Sequence, residues 1–240
     1  MGIGKNKLRN ALFKEEYTYK NSICHIISDT LQGIIVAKES ITHNYQELEN
    51  YIRTSQLFFY TFDPIPVPSE PLVAKLMALA AQKANVGPMA AVAGVIADLA
   101  VLDMQSIGCK VAVVEDGGEI SAVSDRPIDV AVSAGNEPLS KRFGFRLNEF
   151  PIGVATSSGR FSHAFSFGDA EAATVFCKDA GLADAVATAV GNVVKGTAEA
   201  GIEAGLKQGL STPGVLGVFV LYQGKVGTAG KIPQIIQIEP

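Results

Sequence analysis

The sequence has little charge, few cysteines and no long apolar run. Only 18% of its 240 residues are charged, whereas 48% are hydrophobic. A chain of this composition can bury a substantial core, which argues against disorder. The 20 basic and 24 acidic residues are spread along the chain without a basic stripe, so we expect no nucleic-acid binding. The length suits one large domain or two small ones, and we expect a single domain over residues 1–240.

The cysteine count and the apolar stretches indicate in which cellular compartment the protein is found. Three widely spaced cysteines argue against a disulfide framework and against a Cys-x-x-Cys zinc site. Residues 1–20 lack the apolar segment of a secretory signal. The longest apolar stretch, residues 89–102, contains an aspartate and is shorter than the roughly 20 residues that a membrane-spanning helix needs. We therefore expect a cytoplasmic protein without a membrane partner.

Hydrophobic periodicity predicts strands interspersed with paired helices. The predicted helices cover residues 43–58, 72–84, about 88–106, 181–194 and a further segment to about 210. The predicted strands cover residues 23–27 and 33–37 as a hairpin, 110–115, 119–123, 128–133, 152–156, 172–177 and 215–222. Because helices do not alternate strictly with strands, the pattern favours an α+β fold over a doubly wound parallel sheet. We expect mixed, largely antiparallel sheets packed with helices.

The first candidate site is a polar loop that follows the strand ending at Thr156. The candidate ligand-binding residues are Thr156 itself, Ser157, Ser158, Gly159 and Arg160, and one of the three histidines of the chain follows three residues later. Hydroxyls and amides at a glycine turn are donors, and a guanidinium can bind phosphate or carboxylate with two parallel hydrogen bonds. The loop therefore suits a small anionic ligand, and the alternative is an ordinary polar hairpin.

The second candidate is a pair of oxygens on the helix over residues 181–194. Asp184 and Thr188 are four residues apart and share one helix face. Two oxygens in this arrangement suit a hard cation such as Mg²⁺, with water and ligand phosphates in the remaining positions. The alternative is that Asp184 only stabilises the positive end of the helix dipole.

Two further features carry possible chemistry. Gly117 and Gly118 form a tight turn flanked by carboxylates, which could hold a metal or ligand hydroxyls or could be a plain hairpin. A helix beginning at Gly87-Pro88 offers amides to an anion. Cys177 precedes the helix of Asp184, so it is our candidate for a reactive thiol, although a small buried hydrophobe is the alternative.

Four segments together resemble the ApbE superfamily of FAD:protein FMN transferases. They are residues 87–98 (GPMAAVAGVIAD), 115–120 (EDGGEI), 153–168 (GVATSSGRFSHAFSFG) and 183–192 (ADAVATAVGN). The chain is most similar to a branch of archaea and some bacteria often labelled thiamine-biosynthesis ApbE-like. The resemblance implies Mg²⁺ bound by Asp184 and Thr188. It also matches Gly117, Gly118 and His163 to the glycine pair and the loop histidine of the transferases, and implies FAD or FMN as the flavin.

The chain departs from the transferase pattern in three places. Ala93 stands where the transferases have a lysine that helps to hold the dinucleotide. Their His-x-x-Asp-Pro motif is replaced by residues 163–167, and their Asn-x-Gly-Gly-Asp pattern by residues 115–119. The departures favour a Mg²⁺-assisted site for a phosphorylated or nucleotide ligand over genuine flavin transfer.

Three functions remain open from the sequence. In the first, a transferase-like enzyme, His163 is the acid–base or anion-positioning group and Ser157 and Ser158 anchor the ligand. In the second, suggested by members of the branch in methanogens, Cys177 carries sulfur as a persulfide towards homocysteine. The third is a non-catalytic ligand-binding protein. Small-residue helices and an apolar C-terminal strand lead us to expect a homodimer.

Overall fold

A computed structural model describes residues 12–131, 143–158 and 168–237. Its main element is an eight-stranded antiparallel sheet with strand order β1-β2-β3-β4-β7-β8-β9-β10. These strands are Phe13–Tyr19, Ser22–Ser28, Ala112–Asp116, Glu119–Val123, Ile152–Ser157, Ala172–Cys177, Val215–Tyr222 and Lys225–Gly230. A three-stranded antiparallel sheet has the order β11-β6-β5, with β5 at Ile128–Ala131, β6 at Phe143–Leu147 and β11 at Gln234–Gln237.

The helices cover one face of the large sheet. They are α1 (Leu31–Thr54), α2 (Gln56–Tyr60), α3 (Leu72–Ala84), α4 (Val92–Ser106), α5 (Ala180–Val193) and α6 (Ala198–Leu210), and a 3-10 turn at Pro88–Ala91 precedes α4. One apolar core lies between the helices and the large sheet. A second core, rich in phenylalanine, lies between the opposite face of that sheet and the small sheet. The predicted α+β class with largely antiparallel sheets is confirmed.

The predicted strand at residues 33–37 is wrong, because these residues form the start of α1. Thr30 caps this helix, since its hydroxyl oxygen accepts a hydrogen bond from the backbone N–H of Gly33 at 3.0 Å. Ile34, Ala37 and Ile41 are buried at helical spacing. The hairpin partner of β2 is β1 instead, and β3 pairs with the other edge of β2.

The segment Pro88–Ser106 is long and apolar enough to cross a membrane by length and composition alone. It is a core helix in this structure, however. Ile96, Ala97 and Met104 are fully buried, and α4 packs against α1, α5 and β3. Small residues in this segment therefore bring a central helix close to its neighbours.

Candidate active site

The β3–β4 turn presents two carboxylates on the helix-covered face of the large sheet. Asp116 and Glu119 are direct cross-strand partners, and Gly117 and Gly118 between them adopt φ values of 65° and 115°. Only glycine adopts such values readily, so the glycine pair makes the predicted two-residue turn possible. The Gly117 amide donates to the carbonyl oxygen of Ile23 at 3.3 Å, whereas Gly118 lies at the exposed rim.

Asp116 is anchored inside the protein. Only 1% of its surface is exposed, and the Tyr45 hydroxyl donates to its Oδ2 at 2.6 Å. The Ser22 hydroxyl lies 2.8 Å from the same phenol oxygen. Asp116 Oδ1 is buried and has no hydrogen-bond partner in the described part of the chain. Burial raises the pKa of Asp116, and the Tyr45 contact opposes that rise. The hydrogen bond from Tyr45, a residue of α1, to Asp116 therefore links the β3–β4 turn to that helix.

Glu119 lies beside the turn, on the same face of the sheet as its cross-strand partner Asp116. Its side chain keeps partial exposure, yet burial raises its pKa well above the ordinary value, and the charges of Asp184 and Asp116 raise it further. Helix α5 also packs against β4, so Asp184 and Glu119, distant in sequence, are carried by neighbouring elements.

Asp184 stabilises the N-terminus of a neighbouring helix. Its Oδ2 accepts a hydrogen bond from the backbone N–H of Gly94, in the first turn of α4, at 3.0 Å. Free amides at a helix start favour a carboxylate acceptor. Burial nevertheless raises the pKa of Asp184 to about 8, although the side chain keeps partial exposure. Asp184 is thus a structural cap whose side chain stays partly exposed.

Asp98 makes the reciprocal contact from α4 to α5. Its Oδ1 accepts from the Ala180 amide at 2.9 Å, and its Oδ2 accepts from the Gly181 amide at 2.8 Å. Burial raises the pKa of Asp98 to about 6, although the Ser121 hydroxyl and these amides favour the charged form. Helices α4 and α5 therefore cap each other, each through a carboxylate of its partner.

Glycines allow the two helices to approach this closely. A Cβ atom at Gly94 would lie 2.3 Å from the carbonyl oxygen of Ala180. A Cβ atom at Gly181 would lie 2.5 Å from Cγ2 of Val95. Both separations are too short for non-bonded atoms, so no larger residue fits without a shift of the helices. The small faces of α4 and α5 are therefore used for packing within one chain.

The mutual capping also bears on the predicted anion site at the start of the 88–106 segment. The Gly94 amide of α4 already donates to Asp184. The first amides of α5 donate to Asp98, and the Leu182 amide donates to Asp179 at 2.9 Å. These N-terminal donors are occupied by carboxylates of the chain, so a phosphate group cannot use them unless a carboxylate moves.

Thr188 lies one helical turn beyond Asp184, on the same face of α5. Both side chains are partly exposed, whereas Val186 and Ala187 between them are buried. Within the described ranges, no three His, Cys, Asp or Glu side chains form a group able to hold a metal ion. A Mg²⁺ ion here fits the oxygen donors of Asp184 and Thr188 if phosphate and water complete its coordination.

The end of β7 divides the predicted loop residues between two faces. Ala155 belongs to the helix-side core and Val154 to the core beneath the small sheet. By strand alternation Ser157 faces the helices and Thr156 faces away from them. Thr156 Oγ1 lies 2.9 Å from Oγ1 of Thr174. Thr156 therefore lies on the face of the sheet away from Asp184, which does not support its predicted ligand role.

The other loop residues have different outcomes. Ser157 and Ser158 are 9% and 8% exposed at the end of β7, and Ser158 makes further contacts. Gly159, Arg160 and His163 lie outside the described residues. The convergence of the His163 imidazole with the Asp184 carboxylate stays a prediction.

Cys177 is not placed for chemistry. It is fully buried on β8, and burial raises the pKa of its thiol to about 12, with the charges of Asp179 and Asp98 adding to the rise. A reactive cysteine needs access and a depressed pKa. The predicted catalytic role of Cys177 therefore has no structural basis. Cys24 and Cys109 are buried as well.

The fold places the chain in a class of flavin-transferase architecture. It is similar to the apo structure of the flavinyl transferase ApbE of Pseudomonas stutzeri, with a TM-score of 0.62 and 15% identity over 91% of this chain and 94% of that one. It is also similar to the ApbE protein of Thermotoga maritima, with a TM-score of 0.58 and 13% identity over 95% and 97% of the two chains. At this identity the likeness concerns the fold.

Sequence relatives define the family. The family model described as AbpE bacteria matches residues 29–220. A UPF0280 protein of Methanococcus vannielii is 39% identical over 95% of this chain and 94% of its own length. A UPF0280 protein of Methanospirillum hungatei is 38% identical over 94% and 91% of the two chains. The chain belongs to this family, within the ApbE-like superfamily that its motifs resemble.

Proposed function

We propose that this protein binds a phosphorylated or nucleotide ligand of the flavin type, together with Mg²⁺, in the crevice between the β3–β4 turn and α5. The supporting observation is that α5 packs against β4 and that these two elements carry partly exposed carboxylates, Asp184 and Glu119, whose pKa values are both raised. Carboxylates that repel one another at an accessible site gain stability from a bound cation.

Each residue has a defined role in this proposal. Asp184 and Thr188 bind the cation through oxygen, and Glu119 adds negative charge on the opposite side of the crevice. Ser157, on the helix-covered face of β7, donates to the ligand. When bound, Mg²⁺ neutralises phosphate charge and links the ligand to the carboxylates. Arg160 and His163 complete the anion site in the prediction from the sequence.

We propose binding in preference to flavin transfer to a protein. Ala93 stands where the resembling transferases have a lysine, and the adjacent amide of Gly94 is already engaged by Asp184. Glu119 and Asp184 make the crevice acidic, so ligand phosphates depend on a cation there. The sulfur-transfer alternative has no support, because Cys177 is buried with a raised pKa.

Isothermal titration with FMN and with FAD, each in the presence and absence of Mg²⁺, tests the proposal. Asp184→Asn keeps an oxygen that can cap α4 but removes the charge, whereas Asp184→Ala removes both. We expect Asp184→Asn to weaken Mg²⁺-dependent binding at least about tenfold while its melting temperature stays close to wild type. Asp184→Ala should lose binding and also about 0.5–2 kcal/mol of stability.

The matched control is Asp103→Asn, an exposed aspartate on α4. It changes the same net charge outside the crevice, so binding should not change. Unchanged Mg²⁺-dependent binding in Asp184→Asn would exclude Asp184 as a cation ligand and leave it as a helix cap. Tight flavin binding without turnover of FAD would favour a non-catalytic binding protein.

A further inference from the structure

An apolar stripe runs along the outer face of α3. Leu72, Leu76 and Leu79 are spaced by four and three residues, which puts them in one row on the helix. Leu72 is 50% exposed, Leu79 is 39% exposed, and Leu76 between them is partly exposed. A leucine seam of this spacing is typical of a helix that packs against another helix.

The segment before α3 extends this apolar surface. A Cβ atom at Gly87 would lie 2.0 Å from the carbonyl oxygen of Thr61, so α2 ends near the C-terminal end of α3. Gln82 Nε2 donates to the carbonyl oxygen of Ile65 at 2.8 Å, so the connector returns alongside α3 to its start. Helix α2, whose Leu57 and Tyr60 are 69% and 70% exposed, therefore lies at one end of the stripe.

The exposed area suits a protein interface. Leu57, Tyr60, Leu72 and Leu79 together expose on the order of 400 Å². A standard interface buries about 800 Å² on each partner, somewhat more than half of it apolar. These four side chains thus supply most of the apolar area that a stable dimer needs.

The charges at the two ends of α3 are complementary to each other. Glu70 precedes the helix and Lys83 lies in its last turn, and both are exposed. In two antiparallel copies of α3, related by a two-fold axis near Leu76, each Glu70 faces the Lys83 of the other copy. The same axis places Leu72 against Leu79. A surface that is its own complement fits a second copy of the same chain.

We propose that two copies of this chain associate through the α3 stripe, with their α3 helices antiparallel. The first test is sedimentation velocity of the full chain from about 1 to 100 µM, where a dimer is expected. Leu72→Glu combined with Leu79→Glu should raise the dimer dissociation constant at least about 100-fold. Leu102→Glu on α4, where the leucine is 58% exposed, is the matched control and should leave the dimer unchanged.

Charge reversal tests the antiparallel register. Glu70→Lys and Lys83→Glu should each weaken the homodimer about five- to tenfold, because each places like charges opposite one another. An equimolar mixture of the two variants should form a heterodimer of wild-type affinity, since both facing pairs then carry opposite charge. The double variant should also regain the homodimer.

Three results would overturn the proposal. They are a wild-type chain that is monomeric at about 100 µM, a dimer that persists in the double leucine variant with an unchanged circular dichroism spectrum, and charge variants that gain nothing from mixing. A partner of another kind on this surface would correspond to the first of these results.

Discussion

Replacement of Gly94 by alanine probes the contact between α4 and α5 directly. The added Cβ atom would lie 2.3 Å from the carbonyl oxygen of Ala180 and 2.9 Å from Cβ of Asp184. Van der Waals contact requires at least about 3.4 Å, so the helices must separate by roughly 1 Å. That movement stretches the hydrogen bond from the Gly94 amide to Asp184, now 3.0 Å long. We therefore expect a less stable protein with an altered crevice.

The expected magnitude follows from three effects. Overpacking of a tight interface costs about 1–3 kcal/mol. Weakening of the capping hydrogen bond adds about 0.5–1.5 kcal/mol. Alanine is intrinsically more stable than glycine inside a helix, which offsets about 0.5–1 kcal/mol of this loss of stability. The net loss is about 2 kcal/mol, which lowers the melting temperature by roughly 4–8 °C for a chain of this size.

Urea and thermal unfolding of Gly94→Ala measure this loss. Gly205→Ala is the matched control, because the same change on α6 meets only valine methyl groups, the nearest at 2.8 Å and the next at 3.3 Å. Side-chain methyl groups can shift more readily than a helix backbone, so the control should lose at least about 1 kcal/mol less stability than Gly94→Ala. A Gly94→Ala variant as stable as wild type would refute the close α4–α5 contact and the mutual capping derived from it.

Three further predictions concern individual side chains. Burial raises the pKa of Asp98 to about 6 from 3.8, so the folded protein binds more protons than the unfolded chain between these values. This contribution to stability is present below about pH 4 and is lost as pH rises to about 6, and Asp98→Asn should abolish that decline in urea titrations. Thr156→Val should leave flavin titrations unchanged, whereas Ser157→Ala should weaken binding severalfold; equal effects would contradict the assignment of their faces. Cys177 should resist alkylation in native protein and react after unfolding, as followed by mass spectrometry.

The sequence predicted those turns and helix ends well whose conformation depends on residues that are adjacent in the chain. The Gly117–Gly118 turn follows from backbone sterics, and the ends of α3 follow from the proline before it and Asn85 after it, which adopts φ 56°. The segment at residues 33–37 misled the prediction, because its β-branched residues favour a strand in isolation. The hydrogen-bonded cap at Thr30 and the burial of Ile34, Ala37 and Ile41 on one face stabilise a helix there instead.

The individual residues of the candidate site were predictable from the sequence, but the contacts between them were not. Asp184, Thr188 and the acidic glycine turn are visible as short motifs. The contact between Asp184 and Gly94 joins residues that are far apart in sequence, so only the packing of α4 on α5 reveals it. One signal was available, since Asp98 is the lone charge in an apolar small-residue segment. A buried charge requires compensating hydrogen bonds, and the α5 amides provide them.

The mutual capping explains why the crevice is acidic and what that requires of a ligand. Asp98 and Asp184 each use hydrogen bonds to stabilise the start of the opposite helix, and they bring two carboxyl groups with raised pKa values into the centre of the protein. Glu119 adds a third carboxyl group with a raised pKa on β4, against which α5 packs. Helix starts that elsewhere attract phosphate are here neutralised from within the chain. An anionic ligand at the proposed site would therefore need a cation beside these carboxyl groups, so Mg²⁺-dependent binding is the central expectation of the proposed function.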